Sequence, residues 1–231
     1  MHLKNIHQET NIDVLKDFIK AVKLGLFTTA IDHPSLPLIQ ASHIPFIHED
    51  KDDNDKGILK GHLARANPQA KSLIDASRTG ALDREVLVMF TSPDNSYVTP
   101  QFYTQTKPDT GKVVPTWNYA AVQVYGFIKV YHELNDVTSD FLQSQISHLS
   151  DNSEINFDKH WKVTDAPDSY IQNLKKAIIG FEITITRLEG KFKMSQEMPE
   201  GDREGVIEGF ENLGDECSKK IANLVKERSA E

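Results

Sequence analysis

The chain has 231 residues, 39% of them hydrophobic, with a formal net charge of -8 and one cysteine. That is enough apolar material for a sizeable core, in one β-rich domain or two small ones, and too much for a disordered chain. The acidic balance argues against non-specific nucleic-acid binding, which needs clustered Lys and Arg. The lone Cys217 excludes an internal disulfide and a cysteine metal cluster and suits a reducing compartment.

The N-terminus has no apolar leader, and no run approaches the roughly 18 apolar residues of a membrane span. The expected setting is soluble, with no membrane partner: the cytoplasm, or the nucleus in a eukaryotic cell. Asn11 reads as an N-cap for a helix carrying Ile12, Leu15, Phe18, Ile19 and Val22, closed by Gly25. Leu26 to Ile31 and Leu36 to Ile47 are strand-like, with Pro37 and Pro45 marking edges or bulges. His48 to Lys56 reads as a charged loop. Its Asp50 to Asn54 start imitates a calcium loop but has Asp55 and Gly61 where glycine and glutamate belong. Ile58 to Ala64 is a strand, Pro68 to Ala76 a short helix opening on proline, and Val86 to Thr91 a buried strand. Ser92 to Lys112 is loop-rich.

A long strand follows. Val122, Val124, Ile128 and Val130 face one way, with Gly126 among them; Tyr119, Gln123, Tyr125, Phe127, Lys129 and Tyr131 face the other. The first face is core. The second is aromatic with polar tips, which suits a subunit interface or a ligand wall. Val137 to Leu149 is helical, and Ser150 to Trp161 polar and irregular. Pro167 to Ile179 is a helix with Tyr170, Ile171, Leu174 and Ile178 on one face. Phe181 to Leu188 alternates as a half-exposed strand, with Phe181, Ile183 and Ile185 inward. Asp202 reads as the cap of a helix containing Val206, Ile207 and Phe210, and Asp215 to Arg228 is the last helix. About six or seven strands with helices at the start, middle and end point to an α+β domain around an antiparallel barrel.

Dinucleotide and phosphate-loop glycine patterns, the GxSxG elbow and HExxH are all absent from the sequence. Three polar clusters remain. In Gly61 to Pro68, Lys60 and His62 share a strand face and Arg65 stands at a strand-to-helix junction. With the helix N–H groups they could hold a phosphate. The alternative is that Asn67 merely caps the helix and Arg65 pairs with a carboxylate. In Thr116 to Tyr119, Trp117 beside Asn118 could stack on and bond a planar ring, or the group plugs a barrel end. Lys191 and Lys193, two apart after a strand, could neutralise an anion or simply be solvated.

Taken in order, HIPF at 43–46, GHLARANP at 61–68, VLVMF at 86–90, YVTPQFY at 97–103, GKVVPTWNYAAVQVYG at 111–126, WKVTDAP at 161–167, GFEITITRLEGKFKMSQ at 180–196 and DREGVI at 202–207 resemble the PaiB-type family, the FMN-binding negative transcriptional regulators of bacteria. The departures are the acidic insert Asp50 to Lys56, His160 where the family shows proline, and the tail after Asn212. The resemblance implies one α+β split-barrel domain with peripheral helices over 1–212 and a helical tail over 213–231. It also implies a homodimer and FMN as cofactor. It favours His62, Arg65, Asn67, Thr116, Trp117, Asn118, Lys191 and Lys193 as cofactor-binding residues. The function it implies is a regulator or flavin-linked sensor; the charge of -8 and the lack of an evident helix-turn-helix argue that it acts without tight direct DNA binding, through a regulatory protein partner, a metabolite or a local surface patch. The alternatives are a flavin-dependent oxidoreductase of the pyridoxamine-phosphate-oxidase type, with His62, His43 and Tyr103 nearest the substrate, or haem binding by a histidine.

Overall fold

Asn11 starts the first helix as its sequence suggests. Its Oδ1 accepts from Asp13 N at 3.0 Å, and α1 runs Ile12–Val22. The computed structural model describes residues 1–80 and 82–229. The chain forms two compact units. The larger is Lys16–Phe90 with Gln123–Leu188; the smaller is Met1–Leu15, Thr91–Val122 and Glu189–Glu231. The last helix of the expected tail lies in the smaller unit; residues 230 and 231 of that tail fall outside the described residues.

Among the described residues nine strands are present rather than six or seven: β1 (Gln8–Glu9), β2 (Leu24–Ala30), β3 (Ile39–Pro45), β4 (Ile47–Lys51), β5 (Asn54–Ala64), β6 (Val86–Thr91), β7 (Ser96–Val98), β8 (Thr116–Tyr131) and β9 (Ile178–Lys193). The main path runs β3-β2-β6-β8-β9-β5-β4. Pairings of β2 with β3 and β6, and of β5 with β4 and β9, are antiparallel.

In the larger unit, alternation along β2, β6 and β9 delivers Phe27, Phe90 and Phe181 to one core, where they meet Phe46. Phe27 stacks on Phe181 at 5.1 Å, and Phe46 sits edge-on to Phe90 at 5.7 Å. Gly25 does not close α1. It lies in β2, where a Cβ would come within 2.6 Å of Val88 Cγ1, and Lys23 makes the turn instead at φ 52. Gly126 lets β8 pass its neighbour, since a Cβ there would stand 2.3 Å from the Thr184 carbonyl oxygen.

The segment expected as a charged loop is a hairpin of β4 and β5, held by antiparallel pairing and by buried His48, whose ring lies 2.8 Å from the Lys56 carbonyl. Charged residues run without a break from Glu49 to Asp53, which masks the strand period. The helix after β8, α4, spans Asp136–Glu154, so its last turn takes residues read as irregular. Between β5 and β6, α2 spans Pro68–Thr79 and ends at Gly80 with φ 74. A short α3 (Thr106–Thr110) and β7 interrupt the stretch read as loop. Helix α5 is Asp168–Lys176; Tyr170 and Leu174 are exposed while Lys175 is buried, reversing the expected face, and Ile178 already belongs to β9.

In the smaller unit β1 pairs with β9 at Lys191 and Gly190, and β7 pairs with β8 at Trp117. Helices α6 (Glu200–Leu213) and α7 (Glu216–Ser229) bury Val206, Phe210, Ile221 and Val225, with Phe102 edge-on to Phe210 at 5.3 Å. Asp202 does not cap α6. It sits in the first turn, fully buried, and accepts from Gln105 N at 2.8 Å and Thr106 N at 3.0 Å at the start of α3. Burial pushes its carboxyl up, but the bonds from Thr106 and Gln105 outweigh this and hold it below the usual carboxylate range. Among the described residues no helix is long and apolar enough to cross a membrane.

Candidate functional site

Strands β8 and β9 are neighbours, and in the smaller unit they gather five of the eight expected site residues. Strand β9 runs through Lys193, so both lysines lie within it rather than after it, and the period of two puts them on one face. Lys193 Nζ donates to Thr116 Oγ1 at 2.7 Å and to the Trp117 carbonyl at 3.3 Å, and meets Glu197 Oε1 at 3.2 Å. Lys191 Nζ stands 5.3 Å from the centre of the Tyr119 ring. The Trp117 indole is 54% exposed and edge-on to Tyr97 at 6.1 Å. The patch therefore offers two ammonium groups, a hydroxyl and an open aromatic face.

Asn118 faces the interior, fully buried. Its amide exchanges hydrogen bonds with Ser195 Oγ at 3.0 and 3.2 Å, and Ser195 makes a left-handed turn at φ 63 just past β9. That bond fixes the turn carrying Gln196 and Glu197. The Glu197 carboxyl is pushed up by burial and pulled further down by His7, its own backbone and Lys193, and so lies below its ordinary value. His7, itself buried, reaches Glu197 Oε2 at 3.0 Å. His7 and Glu197 escaped the sequence reading, because neither sits in a patterned motif and 190 positions separate them. Tyr103 is buried, and burial first, then Glu197 and Asp202, raise its phenol.

The other three expected residues lie in the larger unit. His62 Nδ1 is 2.7 Å from Gln145 Oε1, on α4. Arg65 Nε donates to the Lys176 carbonyl at 2.9 Å, and its Nη2 to the carbonyl of His132. The guanidinium thus closes the end of α5 and the strand exit after β8, pairing with carbonyls rather than a carboxylate. Asn67 caps α2, accepting from Gln69 N at 2.9 Å, and donates to Ser42 Oγ at 3.0 Å. Lys60, on the His62 face, pairs with Glu49 at 2.5 Å, and His43 is exposed on β3. Among the described residues no group of three or more His, Cys, Asp or Glu is arranged to hold a metal ion.

Residues 1–187 match the family described as "Putative FMN-binding domain". A protein of Emericella nidulans is 53% identical over 244 residues, covering 99% of this chain and 97% of its own. The protease synthase and sporulation protein PAI 2 of Bacillus subtilis is 26% identical over 228 residues, covering 99% and 98%. Among solved structures, a conserved hypothetical protein of Mycobacterium tuberculosis superposes with a TM-score of 0.50 at 12% identity, covering 86% of this chain and 94% of that one; this likeness speaks to the fold alone. The fold class is the α+β antiparallel split barrel expected from the sequence, and the expected cofactor, FMN, agrees with the family's description. With the ordered motifs from HIPF to DREGVI, the match over most of its length makes this chain a member of the PaiB-type FMN-binding domain family.

Proposed function

We propose that the chain is an FMN-binding regulator or flavin-linked sensor that works as a homodimer and does not itself bind duplex DNA tightly. The observation that carries the flavin seat is the convergence of Lys191, Lys193, Thr116 and Trp117 on neighbouring strands. Two ammonium groups and a hydroxyl suit a phosphate, and a half-open indole suits a planar ring. Asn118 supports this patch through Ser195 instead of touching the ring, and Arg65 and Asn67 brace backbone ends. When bound, the flavin supplies its own redox chemistry, so the chain's task is to hold and orient it. The dimer reading rests on the second face of β8, where Phe127 is 48% exposed beside Tyr125 and Lys129. The net charge of -8 supports regulation through a protein partner rather than a polyanion.

The test is a visible spectrum and mass analysis of what co-purifies, followed by FMN titration. Flavin bands and saturable binding are expected, and absence of FMN binding by the purified wild-type chain would remove the assignment. NAD(P)H consumption with added FMN would favour an oxidoreductase instead. Sequence-selective nanomolar binding in a gel shift at about 150 mM salt, where surface charge is well screened, would overturn the indirect mode of regulation.

A further inference from the structure

Lys191 and Lys193 flank Phe192, and alternation along β9 turns the ring to the opposite face. There Phe192 helps line a cavity of about 450 Å³ in the smaller unit, together with His7, Gln196, Arg203 and Arg228. Among the described residues no carboxylate lines it. The acidic side chains bonded to its basic lining are already engaged: Glu9 with Arg228 at 2.7 Å, and Glu197 with His7 at 3.0 Å and Lys193 at 3.2 Å.

Arg203, in the first turn of α6, is different. Its guanidinium has no carboxylate partner among the described residues. Nη1 donates to the Met198 carbonyl at 2.9 Å, and the buried Nε has no hydrogen-bond partner among the described residues. A guanidinium is always charged and presents a rigid fork of donors matched to an oxyanion. A buried charged donor left unbonded is disfavoured, so this one invites an acceptor.

We propose that this cavity is an anion site for a small metabolite carrying a phosphate or carboxylate group, with Arg203 as the principal contact. The shared chemistry is an oxyanion that accepts from the guanidinium fork. The volume leaves room for an organic body beside the Phe192 ring, over which the Arg228 guanidinium lies at 4.4 Å. The site lies on the face of β9 opposite the lysines proposed for FMN, and it stands whether or not flavin binds.

The experiment is calorimetric titration of the full chain with inorganic phosphate and with citrate, at ionic strength held constant with sodium chloride. Saturable binding of at least one probe is expected, and which one binds separates the phosphate from the carboxylate source. Arg203→Gln should weaken it about tenfold or more, as loss of a charge-assisted contact does. Arg203→Lys should fall between, keeping charge but losing the fork. No saturable heat with either probe up to about 10 mM, a concentration well above any useful affinity, would overturn the site. So would equal binding by Arg203→Gln. If that variant does not fold, phenylglyoxal modification of Arg203 in the wild type decides: protection by the probe supports the site, and unchanged labelling overturns it.

Discussion

Arg65 in the larger unit and Lys193 in the smaller one are both cations at strand ends, both suited by sequence to a phosphate, yet their surroundings differ. Arg65 is turned onto two backbone carbonyls, where α5 stops and β8 leaves the sheet. Those carbonyls have lost their regular partners, so a planar fork of donors satisfies two chain ends at once. Lys193 instead meets a hydroxyl, one carbonyl and a partly exposed carboxylate. An ammonium can exchange such partners for a ligand at little cost, whereas the guanidinium cannot leave without unsatisfying the backbone. The lesson is that a basic residue beside a helix end is first a candidate to close that end.

The largest expected effect asks what covers the open face of β8. Phe127→Asp should dissociate the proposed dimer, because an unpaired carboxylate in a dry interface costs several kcal/mol. Light scattering at micromolar concentration should show a dimer for the wild type and a monomer for the variant; a monomeric wild type removes the interface. Arg65→Ala comes next. Losing two charge-assisted bonds to carbonyls should cost about 3 kcal/mol of stability, read by denaturant unfolding, with FMN and riboflavin affinities changing by the same factor. A loss confined to FMN would break the comparison and return Arg65 to the phosphate. Lys193→Met should do the reverse: stability within about 1 kcal/mol, and FMN binding down about tenfold with riboflavin nearly unchanged.

How far the sequence could be read follows the same physics. Period-two alternation located β8 and the inward set Phe181, Ile183 and Ile185, because burial of one face imposes that pattern directly, and an unbroken apolar run located β6. The β4–β5 hairpin was hidden, since its charged residues mimic a loop while the stabilising terms are backbone pairs and buried His48. The true end of α1 was missed because Lys23 took a left-handed conformation that glycine was expected to supply. Asp202 was legible as a helix-start residue, but its bonds run to amides 96 and 97 positions away. The lysine pair and Trp117 were found, as two separate clusters; their hydrogen-bonding states were not, because whether a charge is engaged depends on long-range neighbours such as Glu197.

Glu197→Gln gives the smallest and sharpest test. In the wild type the carboxylate divides itself between His7 and Lys193. Removing its charge frees the Lys193 ammonium for a ligand phosphate, so FMN affinity should rise about threefold, the scale of an exposed ion pair, while riboflavin affinity stays fixed. Stability should fall by about 1 kcal/mol near neutral pH, discounted because the carboxylate is partly exposed. The sign of the pH dependence follows from the depressed carboxyl. Its folded pKa lies below the unfolded one, so its stabilisation is complete above about pH 4.3, the unfolded glutamate value, and is lost as pH falls through the folded value. Unfolding curves of wild type and variant should therefore differ most above about pH 5 and converge as pH falls through the folded value. A constant gap across that range would mean that Glu197 acts by shape and hydrogen bonding alone. Unchanged FMN affinity would then mean that Lys193 is not held back by its carboxylate, and the contrast with Arg65 would rest on the carbonyls alone.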